Sequence, residues 1–429
     1  MAYPNFSPSA TLDATGLQIT AWDRILQMRS LPEDIFFTLN YDQSIYNSVT
    51  RSIPDAIFLR SGAANADGHS VVIPMVMPLS SDALYGTGVD PITSAEQQSL
   101  RQFTGYFNDY VKSAAGYGYG TEFLDGQPYG LMEKLTPQIG TFLKEMFGYW
   151  VRYTLINGYS PNLLAAPTSL SVVPHPNTLV KGRPLTQQPA YYMKNTGTTS
   201  AATLASFIAS QIAGIPSGTS GALTAKMIKQ SETYFSYTCG IQPMTIPWAK
   251  GEKGYILTIP VSQNDYLLDP SNTDGLGVVW QATSRYANSD MAGWPQVLGK
   301  VGMTWLVTDP RAPSVLVSGT GSGSTTGSTV NAVYADFYQK PGLNDARALG
   351  TSGEACFFLG KGGLLDLERE PTHYETEKQM LNKVLIKGAC GSRGFNRVSF
   401  DKSTATATSK INQSSGIIWV RPQTSSFGS

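Results

Sequence analysis

Apolar positions recur along this chain at two distinct periods, and each period predicts a different kind of element. Between Thr136 and Gly158, Ile139, Phe142, Met146, Trp150 and Tyr153 recur at steps of three and four, and Phe147, Val151 and Leu155 widen the stripe. That spacing predicts an amphipathic helix over 137–157, with Phe142, Met146 and Trp150 as its buried anchors. Thr136 is placed to cap it, Pro137 suits the first helical position, and Gly158 follows the end. At ~1.5 Å per residue the rod is about 31 Å long. Leu131, Met132 and Leu135 extend it if the chain kinks at Pro137.

The second period is two. Asp67-Gly68 signals a turn, and Val71, Ile73, Met75 and Met77 follow in a β-branched run broken by Pro74 and Pro78, which reads as an edge strand. Phe103, Phe107 and Val111 share one parity, with Gln102, Thr104, Tyr106 and Asn108 on the other, and predict the returning strand. The resulting hairpin spans 67–115. Its middle, 80–98, carries no core residues, and an isolated hairpin is marginal in water. It is therefore expected to lie on another molecule or domain.

Residues 1–66 read as an extended arm with little core, apart from a short amphipathic stretch at 21–28. The run 116–120 alternates Gly with Tyr and reads as a joint, and 159–200 is rich in Pro and Thr without a period. Helices are predicted at 203–212 and 222–235, with a short one at 263–268. Strands are predicted at 255–261, 302–307, 356–359, 383–386, 397–400 and 416–420. The Gly/Ser/Thr run 319–327 reads as a loop. Helices and strands alternate only in the middle, which gives an α+β class and not a doubly wound nucleotide fold.

Composition narrows the function. In 429 residues there are 31 Lys+Arg and 31 Asp+Glu, and only 14% are charged, against about 25% in ordinary soluble domains. A weakly charged, net-neutral chain suits a surface hidden against partners and is no general nucleic-acid binder. Cys239, Cys356 and Cys390 are odd in number and far apart, so no disulfide framework is expected. No signal peptide is read at the N-terminus, and no apolar run reaches the ~18 residues of a membrane span. Assembly in a cytoplasm is the default.

Catalytic patterns are missing. His69, His175 and His373 are isolated in sequence, no H-E-x-x-H or G-x-S-x-G occurs, and no zinc site, cofactor or catalytic residue is expected. Thr121 stands where a dinucleotide loop needs its third glycine. Gly362 stands where a P-loop needs a hydroxyl. Asp366, Glu368, Glu370, Glu375 and Glu377 surround Arg369 and read as a solvated or interface face, with a divalent-ion site as the alternative. From Lys378 to Arg421 eight basic residues face one acid, Asp401, a formal +7. Lys387, Arg393, Arg397 and Lys402 there either pair with the acidic cluster, in this chain or a neighbour, or face packaged DNA phosphates.

Several stretches together resemble a known family. They are Gly68 through Leu79; the helix 137–157 with Gly158; Ile241-Gln242-Pro243 followed by 253–261 and Asn264-Asp265-Tyr266-Leu267; and Gly293 through Gly302 leading into 303–307. Arg347-Ala348-Leu349 with 355–359, and Tyr374 through Gly388 to Phe395-Asn396, complete the set. In that order they resemble the major capsid proteins of tailed double-stranded DNA phages, of the Hong Kong ninety-seven capsid fold, and most of all the N-four-type short-tailed phages. The resemblance covers 67–420; 159–200 and 319–329 look like insertions. It implies an N-terminal arm (1–66), an extended hairpin loop (67–115), a spine helix and peripheral domain (116–200), an axial domain (201–350) and a return to the peripheral domain (351–429). It also implies a virion protein without enzymatic activity that assembles with itself into hexamers and pentamers of an icosahedral head. Portal, scaffold and decoration proteins and packaged DNA are the other implied partners, with no membrane contact. The alternative is a β-rich tail, decoration or adhesion module.

Overall fold

The structure is a computed structural model and describes residues 36, 58–62, 70–76, 100–117, 131–158, 160, 175–184, 212, 214–216, 218–246, 248–249, 251–268, 297–315, 353–379, 384–398, 400–401, 410–411 and 414–423. The expectations for 21–28, 80–98, 203–211 and 319–327 lie outside these residues. In chain order the elements are β1 (Phe58–Gly62), β2 (Ser70–Val76), β3 (Leu100–Tyr106), β4 (Asn108–Tyr117), α1 (Leu131–Asn157), β5 (Thr178–Val180) and α2 (Ala225–Thr233). Then come β6 (Met244–Thr245), β7 (Lys253–Pro260), α3 (Val261–Leu268), β8 (Val297–Val301), β9 (Thr304–Asp309) and β10 (Ser314–Val315). The last are β11 (Gly353–Leu359), β12 (Leu364–Gln379), β13 (Val384–Arg397), β14 (Phe400–Asp401), β15 (Lys410–Ile411) and β16 (Ser415–Val420).

Two sheets organise them. One has the order β1-β12-β13-β4; the other runs β5-β16-β11-β7-β9-β8, with β6 and β10 added on β7 and β11. In the larger sheet the strands are short, apolar runs, and β7, β11 and β16 are buried almost throughout. That is why 255–261, 356–359 and 416–420 were legible as strands. Residues 302–303 instead form the turn before β9, where Gly302 takes a φ of 66° that a β-branched residue rejects.

The smaller sheet is built from sequences that read poorly as strands. β12, sixteen residues long, contains the acidic cluster, and β13 contains Gly388, Gly391 and Gly394. The sequence pattern predicts only the ends of β13, at 383–386 and 397–400, and its far end is Arg397. Contacts require two of these glycines, Gly391 and Gly394. A Cβ on Gly391 would lie 2.6 Å from the Tyr110 hydroxyl oxygen, whose ring crosses it. Stretch 351–429, expected to return as a whole to the sheet of the long helix, is divided: β12 and β13 do so, whereas β11 and β16 join β7 and β9. The expected arm 1–66 is also partly integrated. β1 pairs in parallel with β12, and Phe36 is fully buried against Phe357.

Helix α1 packs on the inner face of the smaller sheet. It begins at Leu131, so Pro137 lies inside it and Thr136 is not its cap. At its other end Gly158 takes a φ of 99° and its N–H donates to the Thr154 carbonyl at 2.7 Å. The buried line is Ile139, Leu143, Phe147, Val151 and Leu155, while Phe142, Met146 and Trp150, expected as anchors, are half-buried beside it. A spacing of four drifts by ~40° per step, so the line winds about the axis as the helix crosses the sheet. Phe147 is its centre, with ring centroids 5.4 Å from Tyr110, 5.8 Å from Trp150 and 6.3 Å from Phe395.

A buried ion pair ties this layer to the larger sheet. Arg152 of α1 reaches Asp309, at the end of β9, with bonds of 2.9 and 2.6 Å, and both side chains are almost completely buried.

Candidate assembly surface

β2 and β3 pair antiparallel in a two-stranded ribbon, with Val71 opposite Gly105 and Ile73 opposite Phe103, and belong to neither large sheet. Val71 is half-buried and Val72 is 54% exposed. Ile73, Met75 and Phe103 are placed by their backbones in the ribbon, and Met77 lies outside the described residues. The chain then continues almost without a break into β4, which pairs with β13. One strand thus serves two sheets, with Phe107 at the change. This corrects the reading of 67–115 as one projecting hairpin, because 108–117 belongs to the chain's own sheet. Phe107, which the hairpin reading sets against a neighbour together with Val71, Ile73, Met75, Met77 and Phe103, is fully buried in its own chain. The alternation also shifts there: Tyr110 packs inward and Val111 is 70% exposed, because the break at Phe107 reverses the parity.

The ribbon's base is clamped to the outer face of the smaller sheet. The fully buried Asn396 side chain accepts the Tyr106 N–H at 2.9 Å and donates to the Tyr106 carbonyl at 2.8 Å. It thereby satisfies both backbone groups where the strand leaves the ladder. Gly105 lies over Leu367, and a Cβ there would come within 2.6 Å of that side chain. A Cβ on Gly394 would come within 2.2 Å of the Tyr106 carbonyl oxygen. Sequence reasoning missed all three residues. The one signal for Gly394 and Asn396 was their spacing of two within 391–397, and Gly105 had none.

The basic candidates separate by environment. Arg393, 6% exposed, forms two bonds to Asp366 at 2.8 and 2.6 Å, and its guanidinium lies 4.9 Å and 5.0 Å from the ring centres of Phe147 and Phe395. This is the expected pairing with the acidic cluster, made within one chain. Arg397 is held at the end of α1. Buried, it donates from one nitrogen to the carbonyls of Leu155 and Ile156 at 2.9 and 3.0 Å, closing the C-terminus of α1. Neither arginine is available to DNA or to a neighbour. Lys387 is half-buried, and Lys402 lies outside the described residues.

His175 is buried beside Ser415. The Asn177 N–H donates to its Nδ1 at 3.0 Å, so Nε2 carries the hydrogen and donates to Ser415 Oγ at 2.9 Å. Burial, then the nearby Arg397 charge, hold its pKa well below 6.5. Above pH about 6.5 the folded and unfolded imidazoles are both neutral. Below it the unfolded chain takes up a proton that the folded chain excludes, so stability declines toward acid by up to about 1.4 kcal/mol per pH unit. Chemical denaturation between pH 7.5 and 5 is expected to show this slope, and His175→Asn to flatten it. Equal slopes for the two proteins would remove His175 as the cause. Cys356 is fully buried, and burial first, then Glu354 and Asp309, raise its thiol well above the ordinary value. It is an inert core residue. Among the described residues, no helix is long and apolar enough to cross a membrane.

No family model and no curated protein matches the sequence. The architecture does have solved counterparts. The capsid of Ralstonia phage GP4 superposes with a TM-score of 0.55 at 11% identity, over 87% of this chain and 89% of that one. The chain has a phage capsid fold. The head of Helicobacter pylori bacteriophage KHP40 gives 0.51 at 9% identity, over 85% and 87% of the two chains. The cyanophage Pam1 capsid gives 0.50 at 13%, over 86% and 89%. At these identities the likeness concerns backbone, and the roles of individual residues rest on their own contacts.

Proposed function

We propose that the chain is the major capsid protein of a tailed double-stranded DNA phage, a shell subunit that assembles with itself into hexamers and pentamers of an icosahedral head. The observation that carries this reading is the fold likeness to phage capsids over nearly the whole length of both chains. The ribbon supports it: among the described residues β2 and β3 pair in a sheet of their own, and a lone pair of strands needs a further surface to cover it. In this reading the ribbon lies on a neighbouring subunit, the smaller sheet with α1 is the peripheral domain, and the larger sheet is the axial domain. The order of sequence motifs favours the N-four-type short-tailed phages. Portal, scaffold and decoration proteins and non-specific contacts with packaged DNA follow from the same role, as does a place in the virion capsid. The role asks for binding between copies, and the buried ion pairs serve as internal ties, so no catalytic step is assigned.

Negative-stain microscopy of the purified full-length chain tests the proposal. Rings of six and five or closed shells are expected. Particles that stay monomeric or trimeric under all assembly conditions would overturn it in favour of a tail or adhesion module.

A further inference from the structure

Strands β12 and β13 bring together three metal-ligating side chains, two from one strand and the third from the strand beside it. His373 and Cys390 face each other directly across the ladder, and Glu375, two residues beyond His373, stands on the same side. His373 Nε2 lies 2.8 Å from Cys390 Sγ and 3.4 Å from Glu375 Oε1. The three donor atoms are all within 4.8 Å of one another. This is the outer face of the sheet, away from α1. Cys390 is paired there with Val111, whose neighbours Asp109 and Ser113 are also exposed.

The ring's other nitrogen is oriented as in a metal ligand. His373 Nδ1 lies 3.3 Å from the Pro371 carbonyl and 3.6 Å from Glu370 Oε1, both acceptors. With the hydrogen on Nδ1, toward the Pro371 carbonyl, the Nε2 lone pair faces the Cys390 thiol. Metal-bound histidines are held by this kind of contact on the far nitrogen. Glu370 adds a second negative charge beside the cluster.

We propose that His373, Cys390 and Glu375 form a three-ligand site for one divalent ion of the zinc class. Nitrogen, sulfur and carboxylate oxygen are the donor set of that class and not of calcium or magnesium, which take oxygen. In tetrahedral coordination, bonds of ~2.0–2.3 Å put neighbouring donors about 3.5 Å apart. The His–Glu separation already meets this, and the His–Cys pair opens by a small turn of the Cys390 side chain. Binding forms one metal–sulfur bond and releases the thiol proton to solvent. Glu375 is 67% exposed, so the fourth position opens to solvent. The ion staples β12 to β13 across the ladder. The inference stands independently of the capsid reading.

Cobalt(II) titration of the full-length chain, freed of metal by a chelator and kept reduced, tests it. One ion per chain is expected, with a thiolate-to-cobalt charge-transfer band that zinc abolishes on displacement. Cys390→Ser should remove the band while Cys239 and Cys356 remain, and His373→Gln should weaken binding by about 100-fold. Circular dichroism of both variants should match the parent. Absence of the band in the folded parent, or its persistence in Cys390→Ser, would overturn the proposal. If either variant is misfolded, Glu375→Gln decides, because this exposed change is expected to weaken binding about 10-fold and unchanged affinity would overturn the three-ligand site.

Discussion

Arg393→Glu is expected to yield insoluble or unfolded chain, with no assembly and no separate effect on DNA. The substitution removes both bonds to Asp366 and sets a second carboxylate beside it in a site from which water is excluded. Removing one partner of a buried pair alone costs about 3–5 kcal/mol, and the added charge raises that further. A domain's whole stability is about 5–15 kcal/mol. The guanidinium also lies against both the Phe147 and Phe395 rings, so its packing is lost as well. The double replacement Arg393→Met with Asp366→Leu is expected to stay soluble, because an apolar pair of similar size is commonly neutral in place of a buried ion pair. Solubility and chemical denaturation check both. A folded, assembly-competent Arg393→Glu chain would show that the arginine faces outward.

Gly394→Val is expected to free the β2–β3 ribbon from the sheet. The new side chain occupies the position of the Tyr106 carbonyl and the Phe107 backbone, which have no flexible end to move aside. Asn396→Ala is the milder form. It leaves the Tyr106 N–H and carbonyl without their partner, at about 2–3 kcal/mol, which is about 30- to 150-fold in local opening. Hydrogen exchange should therefore accelerate through residues 71–106 while β7, β9, β11 and β16 keep their protection. Under the shell reading, the same variants should fold yet fail to form rings or shells. Unchanged exchange in the ribbon would show that the clamp is not what holds it.

The two predictions concern residues of unequal legibility. Arg393 was singled out because its stretch is so basic, and pairing with the Asp366 cluster was one of the two readings. Which partner, and in which chain, depends on the antiparallel register that puts Glu368 opposite Arg393 and Asp366 two residues away. Asn396 and Gly394 carried no such signal. A glycine matters only through what passes over it, and here that is a backbone 288 positions away, counting from Gly394 to Tyr106. The helix stripe shows the same limit at short range. The spacing of apolar residues established that 137–157 is helical and which side is apolar, but the sheet it crosses chose Phe147 over Trp150.

What the sequence determined by itself was local: the run of α1 and its stop at Gly158, the buried strands of the larger sheet, the ribbon strand at 70–76, and a chain of low charge suited to contact surfaces. These follow from backbone propensity and period, which act within a few residues. The tertiary structure alone decided how the last stretch divides between two sheets, why the polar, Gly-containing β12 and β13 form strands at all, and where Arg397, Phe107 and Asn396 do their work. It also decided that His373 meets Cys390. Each of these is a pairing across sheet or helix, whose energy comes from partners distant in sequence, and no period along one chain segment encodes the register that brings them together.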